Sequence, residues 1–225
     1  MSVSQDYQKG LDAAQRGDFA IALREWTPLA EQGNLSAQFN LGLMYRNGDG
    51  VQQDHEESAK WFRRAAEQGH DNAQLNLGVS FERGEGVPQD YAEAVKWYKL
   101  AAEQGPSSVS RLAQANLGYI YQIGNGVPQD YREAVRWFRL AAEQGEADAQ
   151  YNLALRYGQG QGVPLNFELA LMWSNIAASQ GHMKATELGD LIASIGLETN
   201  NLTPARIIEV QRLAYECVAK NYKGC

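Results

Sequence analysis

Cysteine, long apolar runs and excess positive charge are all scarce in this sequence of 225 residues. Its two cysteines, Cys217 and Cys225, are too few for a zinc site or for a scaffold of several disulfides. No stretch approaches the roughly 18 consecutive apolar residues of a membrane span, and residues 1–6 lack the apolar core of a secretion signal. The formal net charge is -7 and no Lys/Arg-rich block is present, which argues against a nucleic-acid surface.

Motifs for catalysis are also missing. Neither Gly-x-Ser-x-Gly nor Ser-x-x-Lys occurs, so two common serine-nucleophile arrangements lack their starting residues. His55, His70 and His182 are far apart in the sequence, and none belongs to a His-Glu-x-x-His zinc helix. Four Gly-x-Gly pairs follow helical segments and have no lysine in register, so they indicate turns and not phosphate loops. We therefore expect no catalytic residue, no metal site and no cofactor.

One segment, Trp-Phe-Arg-Leu-Ala-Ala-Glu-Gln-Gly at residues 137–145, recurs along the chain. Close or looser copies of it lie at 61–69, 97–105 and 173–181. The successive tryptophans are 36, 40 and 36 residues apart, because the stretch 106–114 carries four extra residues. A period of this length is typical of helical repeat proteins.

Each repeat contains two amphipathic helices. In the second helix, apolar residues recur at i, i+3, i+4 and i+7 from Tyr91. Asp90 and Glu93 form the pattern of a capping box before it, and Gly105 is placed for the left-handed position after it. In the first helix, apolar residues around Gly78 share one face, where the missing side chain lets a neighbouring helix approach closely. A Gly-x-Gly-Val turn joins the two helices.

Hairpins of this kind must stack, because one hairpin cannot bury both of its apolar faces alone. The sequence therefore predicts an all-α fold, a right-handed α/α superhelix of about five helix-hairpin repeats. We expect a single repeat domain over residues 1–225. Its predicted parts are an N-terminal hairpin at 2–33, repeats at 34–69, 70–105, 106–145 and 146–181, a partial repeat at 182–202, and a capping helix and tail at 203–225.

The repeat also resembles a known family. Its pattern, Ala-Gln-x-Asn-Leu-Gly-x-x-Tyr-x-x-Gly-x-Gly-Val-x-x-Asp-Tyr-x-x-Ala-x-x-Trp-x-x-x-Ala-Ala-Glu-Gln-Gly, is similar to the Sel-one-like repeat (SLR), a relative of the tetratricopeptide repeat. The resemblance covers roughly residues 18–195. It implies an α/α superhelix that acts as an adaptor or scaffold, common in bacteria, often exported, and without a conserved catalytic centre. Departures such as Glu25 for Trp and Ala154 for Gly affect packing more than fold.

The C-terminal segment leaves the repeat pattern. Thr203-Pro204 predicts an N-cap and a helix that runs to about Ala219 and covers the last apolar face of the array. Cys217 and Cys225 are eight residues apart, so they either form a disulfide or remain as a buried thiol and a terminal one. Exported members of the resembling family often carry disulfides at about this spacing, which favours the bridge and an oxidising compartment.

A binding surface is expected where the first helices of successive repeats share a direction. Counted from the Leu-Gly pair of each repeat, seven apolar or aromatic side chains would line a concave groove: Phe39, Leu43, Leu75, Val79, Tyr119, Tyr151 and Leu155. The same side chains could instead pack against adjacent first helices. The sequence leaves both interpretations open.

The leading hypothesis is a non-enzymatic protein-protein interaction scaffold that binds a protein or peptide partner in this groove. The alternatives are a hydrolase of β-lactam or cell-wall-like substrates, suggested only by the family, and a structural module that assembles with itself. The charge of -7 favours partners with basic segments. We expect a monomer with at most weak self-association, no nucleic-acid partner and no transmembrane segment. The expected location is periplasmic or secreted if a signal peptide precedes this sequence, and cytoplasmic otherwise.

Overall fold

The computed structural model describes residues 3–222, with side chains from Gln5 onward. Within that range the chain forms twelve α-helices and no strand, which confirms the all-α fold class. The chain divides into two compact units between Gln104 and Gly105, next to the four-residue insertion. Each unit has its own core, and the prediction of a single domain stays a prediction.

The first unit consists of three helix hairpins. Each helix packs against the one before it and the one after it, so α2 contacts both α1 and α3, and the pattern continues to α6. The helices are α1 (Val3–Gln15), α2 (Phe19–Glu31), α3 (Leu35–Asn47), α4 (His55–Glu67), α5 (Asp71–Arg83) and α6 (Tyr91–Ala102).

The second unit contains two further hairpins and two terminal helices. Its last hairpin helix, α10, packs against α9, α11 and α12, so both terminal helices lie on the same helix. We call the first helix of each repeat helix A and the second helix B. The helices are α7 (Ser108–Ile123), α8 (Tyr131–Ala142), α9 (Ala147–Gln159), α10 (Phe167–Ser179), α11 (Ala185–Glu198) and α12 (Pro204–Ala219).

The aspartates before α4, α6 and α8 cap these helices, but the predicted capping box forms only in half. The Asp90 carboxylate accepts hydrogen bonds from the backbone amides of Ala92 and Glu93 at 2.9 and 3.0 Å. The reciprocal bond is absent, because the Asp90 amide donates to the Phe81 carbonyl at 2.9 Å. The Glu93 carboxylate instead accepts from Lys96 at 2.5 Å. The equivalent caps are Asp54 and Asp130.

The glycine after each helix B ends that helix as predicted. At Gly145 the backbone φ is +87°, a left-handed conformation that glycine adopts at low cost. Its amide donates to the Ala142 carbonyl at 2.9 Å, and the next amide, of Glu146, donates to the Ala141 carbonyl at 3.0 Å. This pair of bonds is a Schellman motif, and it satisfies carbonyls that the helix end leaves without partners.

The glycine inside helix A lies against an aromatic ring of helix B in the same hairpin. A Cβ added at Gly118 would lie 2.5 Å from a ring carbon of Phe138, so only glycine fits there. In the fourth repeat both partners change together, since Ala154 replaces the glycine and the buried Ser174 replaces the ring. The same close contact joins Gly42 with Phe62 and Gly78 with Tyr98.

A ladder of glutamines, which the sequence pattern did not predict, connects each helix A to the helices around it. Gln150 is fully buried, and its carboxamide donates to the Ala142 carbonyl at 3.0 Å and accepts from Gln180 Nε2 at 2.5 Å. Paired amides of this kind satisfy polar groups that burial would otherwise penalise. The pairs are Gln38 with Gln68, Gln74 with Gln104, Gln114 with Gln144, and Gln150 with Gln180.

The C-terminal helix begins and ends where the sequence predicts. Thr203 Oγ1 accepts a hydrogen bond from the Arg206 amide at 3.2 Å, and Pro204 takes the first helical position. Arg206 also makes a two-point ion pair with Glu168 on α10, at 2.8 and 2.7 Å. This pair fixes the start of α12 to the start of α10.

The apolar side of α12 joins the core of the second unit. Val210, Ala214 and Cys217 are buried in the cluster that contains the inner face of α10. The predicted partner of Cys217, Cys225, lies outside the described residues. The disulfide between them therefore stays a prediction.

Candidate functional site

The seven predicted groove residues lie on helices A, and none of them is fully buried. In the first unit Phe39 and Leu43 on α3 and Leu75 and Val79 on α5 are all half-buried. The Phe39 ring stacks on the His70 imidazole with centroids 4.7 Å apart. These side chains are partly covered by their own unit and partly accessible.

In the second unit two of the predicted residues meet at one cavity. Tyr119 on α7 is 50% exposed, and Tyr151 on α9 is half-buried, as is Leu155 on the same helix. A cavity of about 550 Å³ lies between α7, α9 and the segment that precedes α11. We call it the tyrosine cavity; its lining is Ala115, Asn116, Tyr119, Phe138, Asp148, Ala149, Tyr151, Asn152, His182, Met183 and Lys184.

One wall of the tyrosine cavity exists because α11 starts late. By the repeat spacing of 36 residues, α11 should begin at 183, as α9 begins at Ala147, but its first residue is Ala185. By the same spacing His182 should be the N-cap, but the N-cap residue is Lys184. The His182 imidazole instead stacks on Tyr151, with ring centroids 4.4 Å apart, and its Nε2 lies 3.3 Å from the Asp148 carboxylate. No side chain caps α11, and Met183 is left 89% exposed at the cavity.

The other histidines have structural positions. His70 Nδ1 accepts a hydrogen bond from the Ala73 amide at 3.3 Å and so caps α5. Burial lowers the pKa of His70, which keeps its imidazole neutral and able to accept that bond. His55 is the first residue of α4. Among the described residues no group of three or more His, Cys, Asp or Glu side chains is placed to hold a metal ion.

The lining of the tyrosine cavity combines apolar and polar groups. Its apolar part comes from aromatic rings, two alanines and a methionine, and its polar part includes the side-chain amides of Asn116 and Asn152. Asp148, with a side chain 78% exposed, and Lys184 place one charge of each sign there. The lining contains neither serine nor cysteine.

Sequence reasoning found the tyrosines but missed His182, Met183 and Lys184 as cavity residues. The repeat spacing continues into α11, where it places His182 at the N-cap and Met183 and Lys184 in the first turn of the helix. The signal that could have located them is the absence of Ser, Thr, Asp or Asn at positions 182–184, the residues that cap helices best.

The hairpins, the coupled glycine–aromatic contacts and the glutamine ladder define an all-α helical-repeat protein. The Sel1 repeat matches four segments of the chain, residues 35–70, 71–106, 111–146 and 147–182. The chain belongs to the Sel1 repeat family, which confirms the resemblance seen in its sequence. Proteins of this family generally mediate protein-protein interactions and are typically non-catalytic.

Solved structures of bacterial proteins share this fold. A protective antigen of uropathogenic Escherichia coli with an SLR fold is 34% identical, with a TM-score of 0.80 over 95% of this chain. A Sel1 repeat protein from Oxalobacter formigenes is 30% identical, with a TM-score of 0.77 over 93% of this chain and 84% of its own length. The chain spans 46% of the antigen's length. No curated protein matches the sequence.

None of the helices in the described part of the chain is long and apolar enough to cross a bilayer.

Proposed function

We propose that this chain is a non-enzymatic scaffold that binds a protein or peptide segment along its helices A, with the tyrosine cavity as the main anchor. The observation that carries the proposal is the meeting of Tyr119 and Tyr151, from two successive repeats, at one open cavity of about 550 Å³. A cavity of that size accepts one large side chain and the backbone beside it.

The residue types at the cavity are those that dominate interfaces. Tyrosine supplies a large apolar surface and a hydroxyl that forms hydrogen bonds. In most interfaces a small number of contacts of this type carries most of the binding free energy. Half-exposed Tyr119 and almost fully exposed Met183 leave apolar surface in water, which a partner would cover. The side-chain amides of Asn116 and Asn152 each offer a donor and an acceptor to a peptide backbone.

The charge distribution adds a preference for basic partners. Residues 1–104 hold 16 acidic and 10 basic side chains, whereas residues 105–225 hold 11 and 10. The net charge of -7 therefore arises mainly in the first unit. It attracts basic segments at long range and raises the association rate, while the nearly neutral second unit selects by shape and apolar contact.

Substitution of both tyrosines tests the binding proposal. The Tyr119→Ser/Tyr151→Ser double variant is compared with wild type by crosslinking and capture from native extract, and by thermal melting. Leu140→Ser is the control, since Leu140 is exposed on α8 and does not line the cavity. Loss of the captured partner with unchanged melting in the double variant alone supports the anchor. A large fall in its melting temperature would show that the tyrosines serve packing.

The non-enzymatic part of the proposal has its own test. The chromogenic hydrolysis of a β-lactam by purified protein should equal the buffer rate. Turnover that is removed by one serine or glutamate substitution, with folding intact, would make the chain a hydrolase.

Light scattering at two concentrations separates the monomer that we expect from a self-assembling module.

We also propose an exported location, supported by the presence of Cys217 and Cys225 eight residues apart and by the disulfide bridge that the family resemblance suggests. Counting thiols under denaturing, non-reducing conditions should give none. Two free thiols would contradict the bridge and favour a cytoplasmic protein.

A further inference from the structure

A second cavity, of about 350 Å³, lies between α10, α11 and α12. It forms because α11 and α12 both pack on α10 and leave a gap between themselves. Every polar side chain that lines it is uncharged, and it shares no residue with the tyrosine cavity. Its lining is Asn175, Ala178, Ser179, Thr186, Gln211, Ala214 and Tyr215.

The glutamine ladder explains why this space is open. One repeat of 36 residues after Gln150, the ladder position is held by Thr186, whose side chain is shorter. In the repeat before, the Gln150 carboxamide reaches the Ala142 carbonyl at 3.0 Å. The residue equivalent to Ala142 is Ala178, which lines the second cavity. The space that a glutamine side chain fills in the other repeats is therefore vacant here.

A second shortened side chain leaves a donor without an acceptor. Asn175 stands where the third repeat has Arg139, which donates to the Tyr157 hydroxyl at 2.6 Å. The Asn175 side chain is too short to make the equivalent hydrogen bond, and Ala193 stands at the position equivalent to Tyr157. The Nδ2 atom of Asn175 is buried and has no hydrogen-bond partner among the described residues. Buried donors without partners are rare in folded proteins, so this one calls for a strained or a functional explanation.

We propose that the second cavity binds a carboxamide group of a protein or peptide partner, seated where the other repeats place their own ladder glutamine. The NH₂ of the bound group donates to the Ala178 carbonyl, as Gln150 does to Ala142. Its oxygen accepts from Asn175 Nδ2. The carboxamide comes either from a glutamine side chain or from a peptide bond, and both present the same donor and acceptor.

Chemical-shift titration of the uniformly ¹⁵N-labelled chain tests the proposal. The probes are N-acetyl-glutamine methylamide, its glutamate analogue, which keeps the shape but carries a charge, and N-acetyl-leucine methylamide. A saturable shift of the Asn175 side-chain NH₂ signals is expected with the glutamine probe. If it alone binds, the source is the side-chain carboxamide; if all three bind alike, the source is the peptide bond.

Two substitutions make the test specific. Thr186→Gln should rebuild the ladder inside the chain, raise the melting temperature and weaken probe binding at least tenfold, whereas Thr186→Val, which keeps the space open, should bind as wild type does. Asn175→Leu removes the donor and should weaken binding about tenfold, the effect of one hydrogen bond.

The absence of any saturable shift would overturn the proposal, as would equal binding by the Thr186→Gln variant. Because no lining residue is shared, Tyr119→Ser/Tyr151→Ser should leave the titration unchanged. This separates failure of the carboxamide site from failure of the tyrosine anchor.

Discussion

Replacement of Gly118 by alanine should destabilise the second unit, although alanine is the better helix former. The added Cβ would lie 2.5 Å from a ring carbon of Phe138, about 1 Å inside normal carbon contact. Phe138 is 1% exposed, so its ring has little space to move away. Overpacking of this kind costs about 1–3 kcal/mol, and the helix propensity of alanine returns about 0.5–1 kcal/mol. We expect a net loss of about 1 kcal/mol, and at most about 2.5 kcal/mol, in the free energy of unfolding.

Gly158→Ala is the matched control, because Gly158 also lies inside a helix A of the same unit. Its added Cβ would meet Ala170 and Ile192 at 3.6 and 3.8 Å, which is ordinary contact, so only the propensity gain remains. Urea unfolding followed by circular dichroism should show Gly158→Ala as stabilised by about 0.5–1 kcal/mol and Gly118→Ala as destabilised. Two variants shifted in the same direction would refute the packing argument.

Three further predictions concern caps, the ladder and pH. Asp130→Ala should cost about 1 kcal/mol, because two backbone amides lose their acceptor; an unchanged urea midpoint would contradict this. Gln150→Leu removes two hydrogen bonds, one to the Ala142 carbonyl and one from Gln180, and should cost about 1–3 kcal/mol; stability equal to wild type would show that the ladder contributes nothing. The hydrogen bond from Arg206 lowers the pKa of Glu168 below its usual range, so the pair stabilises the fold above the unfolded pKa of about 4.3 and ceases to do so as pH falls through the folded value. Arg206→Gln should lower the free energy of unfolding by less than about 1 kcal/mol, because the pair is so exposed. This loss should be present at pH 7 and absent at pH 2, and a loss independent of pH would contradict the contribution of the ion pair.

Much of the fold could be predicted because its signals are local. The start of α12 at Pro204 follows from a cap and a proline that are adjacent in the sequence. The left-handed glycine after helix B is visible as the end of a repeated segment. The interior glycine could be interpreted as a point of close approach, and its contact with Phe138 confirms that interpretation.

The remaining features depend on which helices face each other. The glutamine pairs join residues 30 positions apart, so they appear only when helix B of one repeat lies beside its own helix A. The second hydrogen bond of the predicted capping box does not form, because the Asp90 amide donates to the Phe81 carbonyl instead. The motif does not encode this contact with the preceding helix. The two cavities arise where the repeat pattern decays, through the late start of α11 and the short side chain of Thr186.

The most direct test of the scaffold function is photo-crosslinking from the tyrosine cavity. Met183, which is 89% exposed at the cavity, is replaced by benzoylphenylalanine. The variant is irradiated in native extract, and the crosslinked adduct is mapped by mass spectrometry. If the tyrosine cavity anchors a partner, one discrete protein is crosslinked through a defined peptide, and the adduct disappears when Tyr119 and Tyr151 are replaced by serine in a normally folded chain. An adduct that persists in that variant, or no discrete adduct with wild-type tyrosines, would contradict the scaffold function.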